Sequence, residues 1–268
     1  MAPDRTRPAR FEGHEYPQTL PEPDDIQAGA LAPWSTLTTS ERTGLSLQLV
    51  ESRLKDALRH LDNSVIPGDP GDPGALAVAD IEGQPIARRS AVLVALFEEA
   101  GETHLVLTRR SFSMREHAGE IALPGGRSDA GETPTETALR EALEEVGIDE
   151  STVRVVGWLS PIVTLALGSA IWPVIGFLNE RPTMVTDAAE VERAFTVPLA
   201  DLLADGAFLE ERWRRELARP GSDADNYFPI YFFRVPGDLI WGATARVLTE
   251  LLCVVTGVEW PEAKRTWP

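Results

Sequence analysis

The sequence contains very little cysteine and no long apolar stretch. A single cysteine among 268 residues excludes an internal disulfide, and no paired ligand spacing resembles a zinc site. Cys253 lies in the apolar run 251–255, so we expect it to be a small buried core residue. No apolar run approaches the roughly 20 residues that span a bilayer, and the first residues lead into no signal-peptide core. We therefore expect a cytoplasmic protein without a membrane segment.

Basic residues are also scarce. The chain has 25 lysines and arginines against 42 aspartates and glutamates, for a formal net charge of -17. This balance disfavours general binding to nucleic acid or to anionic membranes, because both need a basic surface. Most of the acidic residues should form a solvated surface, whereas a subset could cluster to hold a metal ion. We expect a small-molecule partner and no nucleic acid or membrane partner, and a homodimer is left open.

Composition changes along the chain predict three parts. Residues 1–35 are rich in Pro, Asp, Glu and Arg with few apolar anchors, which predicts a flexible or loosely docked arm. Leucines at roughly helical spacing predict an amphipathic helix at 40–61, and the Pro/Gly-dense run 67–74 predicts a linker. We therefore expect an N-terminal extension over 1–85, a folded domain over 86–260 and a tail over 261–268.

The folded domain interleaves strands and helices without regular alternation, which favours an α/β fold with a mixed sheet flanked by helices. Apolar runs predict strands at 91–97, 104–108, 153–158, 172–178 and 229–234. Helical patterns predict helices at 134–146, 198–204 and 243–255.

The helix at 134–146 carries signals at both of its ends. Thr133 and Glu136 have the spacing of a capping box, with proline at the first helical position. Gly147 suits the left-handed position after the last turn. An apolar stripe at helical spacing should pack on the sheet, and it comprises Leu139, Ala142, Leu143 and Val146.

The same helix carries three carboxylates at positions i, i+3 and i+4. Glu141, Glu144 and Glu145 therefore share a face and repel one another. A hard divalent cation such as Mg²⁺ or Mn²⁺ prefers oxygen ligands and would relieve this repulsion. Arg140 cannot neutralise all three, and Glu132 lies within reach of Arg140 if the loop folds back. The alternative for the helix alone is a solvated acidic face, since such strings are common in exposed helices.

The full stretch resembles the signature of the Nudix hydrolase family. That signature is G, five residues, E, seven residues and then R-E-U-x-E-E-x-G-U, where U is a bulky apolar residue. The matching residues are Gly126, Glu132, Arg140, Glu141, Glu144, Glu145, Gly147 and Ile148. The one departure is Ala142, which is smaller than the usual residue there. The resemblance implies an α/β/α sandwich, here with an N-terminal helical extension, and hydrolysis of a diphosphate bond.

The resemblance also implies a role for each matching residue. Glu141, Glu144 and Glu145 would bind the metal together with the Gly126 carbonyl, and Glu141 or Glu145 would help to activate water. Arg140 and Glu132 would form an ion pair that orients these glutamates.

The stretch upstream resembles a second signature, that of coenzyme A diphosphatases. The matching residues are Thr108, Arg110, Ser111, Arg115, Gly119, Pro124, Gly125 and Gly126, whereas Leu123 stands where that signature has Phe. Arg110 and Arg115 suit bidentate contacts to phosphate, although either could instead pair with Glu116 or Glu120. His117 and Gly119 are further candidates for substrate contact, and Glu190 is a candidate extra carboxylate. The alternatives are an ordinary surface or loop-packing histidine for His117 and a solvated glutamate for Glu190, which composition favours.

The two resemblances predict metal-dependent hydrolysis of coenzyme A or acyl-coenzyme A to adenosine 3′,5′-bisphosphate and (acyl-)4′-phosphopantetheine. One alternative is a Nudix enzyme for another nucleoside diphosphate derivative, such as ADP-ribose, or for a nucleoside triphosphate. Another is a non-catalytic Nudix domain that binds nucleotide, which the intact carboxylates disfavour.

Overall fold

The structure is a computed structural model that describes residues 6–11, 13–60, 88–164, 169–214 and 227–260. The predicted linker at 67–74 and the predicted tail at 261–268 lie outside the described residues. Within the described ranges, no helix is long and apolar enough to cross a membrane.

The N-terminal residues form three strands. β1 (Thr6–Phe11) and β2 (His14–Pro21) pair antiparallel, and β3 (Asp25–Ala28) pairs with a strand of the main body. The prediction of a loose arm is therefore wrong for the described part of 1–35. The apolar anchors are few but alternate along the strands, so that Phe11, Tyr16 and Leu20 are all buried. The boundary near residue 86 stays a prediction.

The helix predicted at 40–61 is two helices. α1 (Thr39–Arg42) is followed by Thr43, whose backbone is extended, and α2 (Leu47–His60) begins four residues later. The extended residue interrupts the i to i+4 hydrogen bonds, so one continuous helix is impossible. Val50, Leu54 and Leu58 form the buried face of α2, because they lie four residues apart.

A mixed sheet forms the centre of the fold. Its main strands are β4 (Arg88–Glu99), β5 (Glu102–Arg110), β8 (Val153–Trp158), β10 (Ser169–Leu178) and β11 (Val191–Pro198). They lie in the order β11-β5-β4-β10-β8, with β4 and β10 parallel and the other pairs antiparallel. Three short strands attach to this path, namely β6 (Ile121–Ala122), β7 (Gly125–Arg127) and β9 (Ile162–Thr164).

A second, antiparallel sheet joins β3 to three later strands, β12 (Phe208–Arg214), β13 (Tyr227–Val235) and β14 (Asp238–Trp241). The strands of this sheet lie in the order β14-β13-β12-β3. The other helices are α3 (Pro134–Val146), α4 (Leu199–Leu202) and α5 (Gly242–Thr256), and a short 3-10 helix covers Glu150–Thr152.

The central sheet separates two hydrophobic clusters. Alternate residues of β4 point to opposite faces, so Leu93 packs with α3 while Leu96 packs with α2, α5 and the second sheet. Helices thus cover both faces of a mixed sheet, which confirms the predicted α/β class. The five predicted strands and the three predicted helices of the domain are all present, although α4 is shorter than predicted. Cys253 is free and buried, as predicted.

Candidate active site

Helix α3 begins and ends where its sequence predicts. The Thr133 side chain accepts a hydrogen bond from the Glu136 amide at 3.2 Å, and the Glu136 carboxylate accepts one from the Thr133 amide at 2.8 Å. Gly147 follows the last turn in the left-handed conformation. One packing prediction is wrong, because Leu143 is 49% exposed and Ala138 is buried instead. The buried stripe is rotated around the helix, so it also brings Glu145 against the sheet.

Arg140 and Glu132 form the predicted ion pair. Arg140 Nε donates to Glu132 Oε1 at 2.7 Å, and Arg140 Nη2 donates to Glu132 Oε2 at 3.1 Å. The amide of Asp129 and the hydroxyl of Thr137 also donate to Glu132 Oε2. These hydrogen bonds, led by that of Arg140, lower the pKa of Glu132 to about 2. The loop before α3 is therefore fastened to the helix by an ionised carboxylate.

Glu145 is the most deeply buried of the three glutamates on the predicted face. Its side chain is 5% exposed, and its Oε2 accepts a hydrogen bond from the Gly125 amide at 3.0 Å. Burial raises the pKa of Glu145 to about 7, and the charges of Glu141 and Glu190 add to the rise. The Gly125 amide and Arg110 oppose it. A carboxylate with this pKa can take or release a proton near neutral pH.

Glu141 lies against the loop that leads into α3. A β-carbon on Gly126 would lie only 2.4 Å from Glu141 Oε2, so the absence of a side chain there lets the carboxylate approach the backbone. Burial raises the pKa of Glu141 despite its hydrogen bond from Arg140. Glu144 is more exposed and accepts a hydrogen bond from Arg140 Nη1 at 3.1 Å.

Residues 111–120, within the stretch that resembles the coenzyme A signature, form a loop beside these glutamates, and we call this segment the substrate loop. Arg110 Nη1 lies 3.7 Å from Glu145 Oε1, and the Arg110 amide donates to the Glu120 carbonyl across the base of the loop. Arg110 therefore pairs with Glu145 rather than with Glu116 or Glu120. Arg115 is exposed and, among the described residues, makes no ion pair.

His117 lies within this loop, and Glu190 contacts its first residue. The His117 ring lies 3.1 Å from Glu120 Oε2, and this hydrogen bond raises the pKa of His117. The Glu190 carbonyl accepts from the Ser111 amide at 2.8 Å, which fastens the loop to the start of β11. The charge of Glu190 adds slightly to the raised pKa of both Glu141 and Glu145, whose main cause is burial. The role of Glu190 as an extra carboxylate stays a prediction.

Comparisons with known proteins identify the family. The NUDIX domain model matches residues 87–219. Nudix hydrolase 3 of Caenorhabditis elegans is 36% identical over 174 residues, which cover 61% of this chain and 72% of that protein. The chain belongs to the Nudix hydrolase family. The uncharacterised Nudix hydrolase NudL of Photorhabdus laumondii is 36% identical over 61% of this chain and 83% of that protein. Nudix hydrolase 15 of Arabidopsis thaliana, a mitochondrial protein, is 38% identical over 62% of this chain and 58% of that protein.

The carboxylate oxygens of Glu141, Glu144 and Glu145 are the type of ligand that a divalent cation prefers, but the three side chains do not converge on one point. Among the described residues, no three acidic, histidine or cysteine side chains converge as ready metal ligands. The reason is that the Arg140 guanidinium bonds to both Glu141 and Glu144, while Glu145 turns to the Gly125 amide. The donors are nevertheless all hard oxygens, the kind of ligand that Mg²⁺ and Mn²⁺ prefer. Burial is the main cause of the raised pKa values of Glu141 and Glu145, and neighbouring carboxylates add to the rise. Their assignment as metal ligands stays a prediction.

The structure also contains a buried ion cluster that the sequence did not reveal. Asp238 is fully buried and accepts hydrogen bonds from Arg109 and Arg193, which are neighbours on β5 and β11. This cluster ties the second sheet to the end of β5, next to Arg110. Asp238 lies 129 residues from Arg109 in the chain, so no local pattern connects them.

Proposed function

We propose that this Nudix hydrolase cleaves the diphosphate bond of coenzyme A or an acyl-coenzyme A. The products would be adenosine 3′,5′-bisphosphate and (acyl-)4′-phosphopantetheine. The observation that carries this proposal is the 3.7 Å approach of Arg110 to Glu145. It brings the stretch that resembles the coenzyme A signature into contact with the glutamate helix, so a phosphate-binding group and the catalytic carboxylates adjoin.

Glu141, Glu144 and Glu145, with the Gly126 carbonyl, are the residues that would hold Mg²⁺ or Mn²⁺. A bound divalent cation would lower the pKa of water and stabilise charge on the leaving phosphate. Among the described residues, no donor bonds to Glu141 Oε2 or Glu144 Oε1, so these oxygens have lone pairs to offer. The fit of a divalent cation to these residues therefore rests on the available carboxylate oxygens of Glu141 and Glu144.

Glu145 or Glu141 would accept the proton of the attacking water. The pKa of Glu145, raised to about 7 by burial, matches the requirement for a base that works near neutral pH. Arg140, fixed by Glu132, holds Glu141 and Glu144 in place and acts as a positioning residue. Glu190 is a third candidate for the base because its charge adds to the raised pKa of Glu145.

Arg110, Arg115 and His117 would bind the phosphates of the substrate. Coenzyme A carries a ribose 3′-phosphate in addition to its diphosphate, so more than one cation is needed. Exposed Arg115 is free of ion pairs within the described part of the chain, and His117 gains positive charge through Glu120. Arg115 and His117 lie on the loop and Arg110 ends the strand before it, and the Gly119 amide closes the loop by donating to the Arg110 carbonyl.

A substrate panel with Mg²⁺ and with Mn²⁺, read by mass spectrometry of the products, tests this proposal. We expect adenosine 3′,5′-bisphosphate from coenzyme A and from its acyl forms. Cleavage of ADP-ribose or of a nucleoside triphosphate with coenzyme A left whole would contradict the substrate assignment. Binding of nucleotides without any cleavage would contradict the enzymatic assignment.

A further inference from the structure

The substrate loop carries an exposed aromatic side chain that the mechanism above does not use. Phe112 is 47% exposed, and it is the one aromatic residue among the large hydrophobic side chains that are exposed in the described part of the chain. It follows Arg110 by two residues. An exposed ring of this kind offers both apolar area and a π-face to a ligand.

Gly119 provides the seat on which this ring rests. A β-carbon at Gly119 would lie 2.3 Å from Phe112 Cε1, so the ring packs directly on the glycine backbone. Gly119 is also in the left-handed conformation, at φ +71°. Its presence in the loop is therefore explained by Phe112 and by backbone conformation, with no direct substrate contact required.

Hydrogen bonds hold the loop in one shape. Ser111 and Ser113 join through their hydroxyls at 2.8 Å, and the Met114 amide donates to the Ser111 carbonyl. At the base of the loop, the Gly119 amide donates to the Arg110 carbonyl. The ring is thus presented to solvent from a fixed support, which lowers the entropy lost when a flat ligand covers it.

We propose that Phe112 is a specificity residue that stacks on the adenine ring of the substrate while Arg110 binds its phosphate. The proposal rests on the proposed function only in requiring an adenine nucleotide at the Arg110–Glu145 site. A base is a flat π-system joined by one ribose to its phosphate, and stacking of bases on exposed aromatic rings is a common source of nucleotide affinity. An apolar acyl chain would need a wider apolar surface than this single ring offers.

Isothermal titration calorimetry with two probes, ADP and inorganic pyrophosphate, tests the proposal at constant Mg²⁺. We expect Phe112→Ala and Phe112→Leu to weaken ADP binding about tenfold, because both remove the π-face. Phe112→Trp should restore ADP affinity, and pyrophosphate, which has no base, should bind equally to all four proteins. Leu31→Ala, which removes another exposed apolar side chain at 82% exposure, serves as the matched control and should change neither affinity.

The outcomes separate this inference from the substrate assignment. Unchanged ADP affinity in Phe112→Ala, or an equal loss of pyrophosphate affinity, would overturn the stacking role. If Phe112→Leu binds ADP as well as the wild type, apolar contact alone accounts for the ring and the proposal is also wrong. If coenzyme A is not cleaved in the substrate panel but ADP binding depends on Phe112, only the assignment of coenzyme A fails.

Discussion

Glu145 shows how burial of one residue can set its chemistry. Its carboxylate has one backbone donor and a more distant arginine, and this support is too weak to offset the loss of water. The pKa of Glu145 is therefore raised to about 7. Because this value exceeds the ordinary 4.5, the native state binds more protons than the unfolded state between pH 4.5 and 7. The ionised carboxylate thus costs stability as the pH rises through that window.

We expect Glu145→Gln to lower kcat at least about a hundredfold, because the variant has no proton acceptor there. Glu144→Gln should also lower turnover severely through loss of a metal ligand. The glutamine at 145 can still accept the Gly125 amide, so the free energy of unfolding at pH 7 should be equal to or higher than that of the wild type. Steady-state kinetics and urea unfolding measure these effects. Full activity in both variants would rule out the assigned roles.

Glu132 shows the opposite effect, since charge and hydrogen bonds lower its pKa to about 2. The stability that Glu132 contributes is present above the unfolded-state pKa of about 4.5 and is lost as the pH falls from there towards 2. We expect Glu132→Gln to lower the free energy of unfolding at pH 7 by about 1.5–3 kcal/mol, the range for hydrogen bonds to charged groups. The difference from wild type should shrink as the pH falls from 4.5 to 3.

The exposed pair of Arg10 and Glu15 supplies the control for Glu132, because both of its side chains are more than 60% exposed. Glu15→Gln should change the free energy of unfolding by less than about 1 kcal/mol at every pH tested. Urea unfolding at pH 7, 4.5 and 3 measures both variants. A pH-independent effect of Glu132→Gln would show that its carboxylate is not ionised by Arg140.

At the scale of single residues, the sequence predicted contacts that are local. Glu132 and Arg140 are eight residues apart, and their pairing follows from a loop that returns to its own helix. The burial of Asp238 beside Arg109 and Arg193 depends on how distant strands align. Register between distant strands is set by the packing of the whole sheet, so spacing along the chain does not reveal it.

Among the elements, α3 was predictable to the residue because both of its ends are encoded locally. The capping box of Thr133 and Glu136 begins the helix, and the left-handed Gly147 ends it. Which face of α3 is buried was less predictable, since Leu143, expected to be buried, is exposed and Ala138 is buried in its place. The small Ala138 and Ala142 fit against the sheet where larger side chains would hold the helix away, and hydrophobicity alone does not express this difference in size.

We expect Thr133→Ala to lower the free energy of unfolding by about 1 kcal/mol, because the amide of Glu136 loses its acceptor. Thr133→Ser keeps the hydroxyl and should lose much less. The midpoint of urea unfolding reports the change. Equal stability of the alanine and serine variants would mean that the cap contributes nothing to α3.

At the scale of the whole molecule, the N-terminal residues belong to the main hydrophobic core. Trp34 is 1% exposed and lies 5.4 Å from Phe208 and 6.1 Å from Phe233 between ring centroids. The composition of residues 1–35 suggested a loose arm because proline and charged residues outnumber the apolar ones. Alternation and one large aromatic residue were sufficient to fix the described part, and average composition does not detect either.

We therefore expect Trp34→Ala to lower the free energy of unfolding by about 3–5 kcal/mol, the usual cost of removing a buried aromatic side chain. Leu31→Ala, three residues earlier and 82% exposed, should change it by no more than about 0.5 kcal/mol. Chemical unfolding of the full chain measures both. A small effect of Trp34→Ala would mean that the N-terminal strands are only loosely attached.

The chemistry that we propose for the whole molecule requires a divalent cation bound by the glutamates of α3. Isothermal titration calorimetry of Mn²⁺ and of Mg²⁺ into the wild type and into Glu141→Gln, Glu144→Gln and Glu145→Gln tests this claim most directly. We predict stoichiometric uptake by the wild type and a marked loss of affinity in each variant. No uptake by the wild type, or uptake that none of the three substitutions affects, would contradict the account.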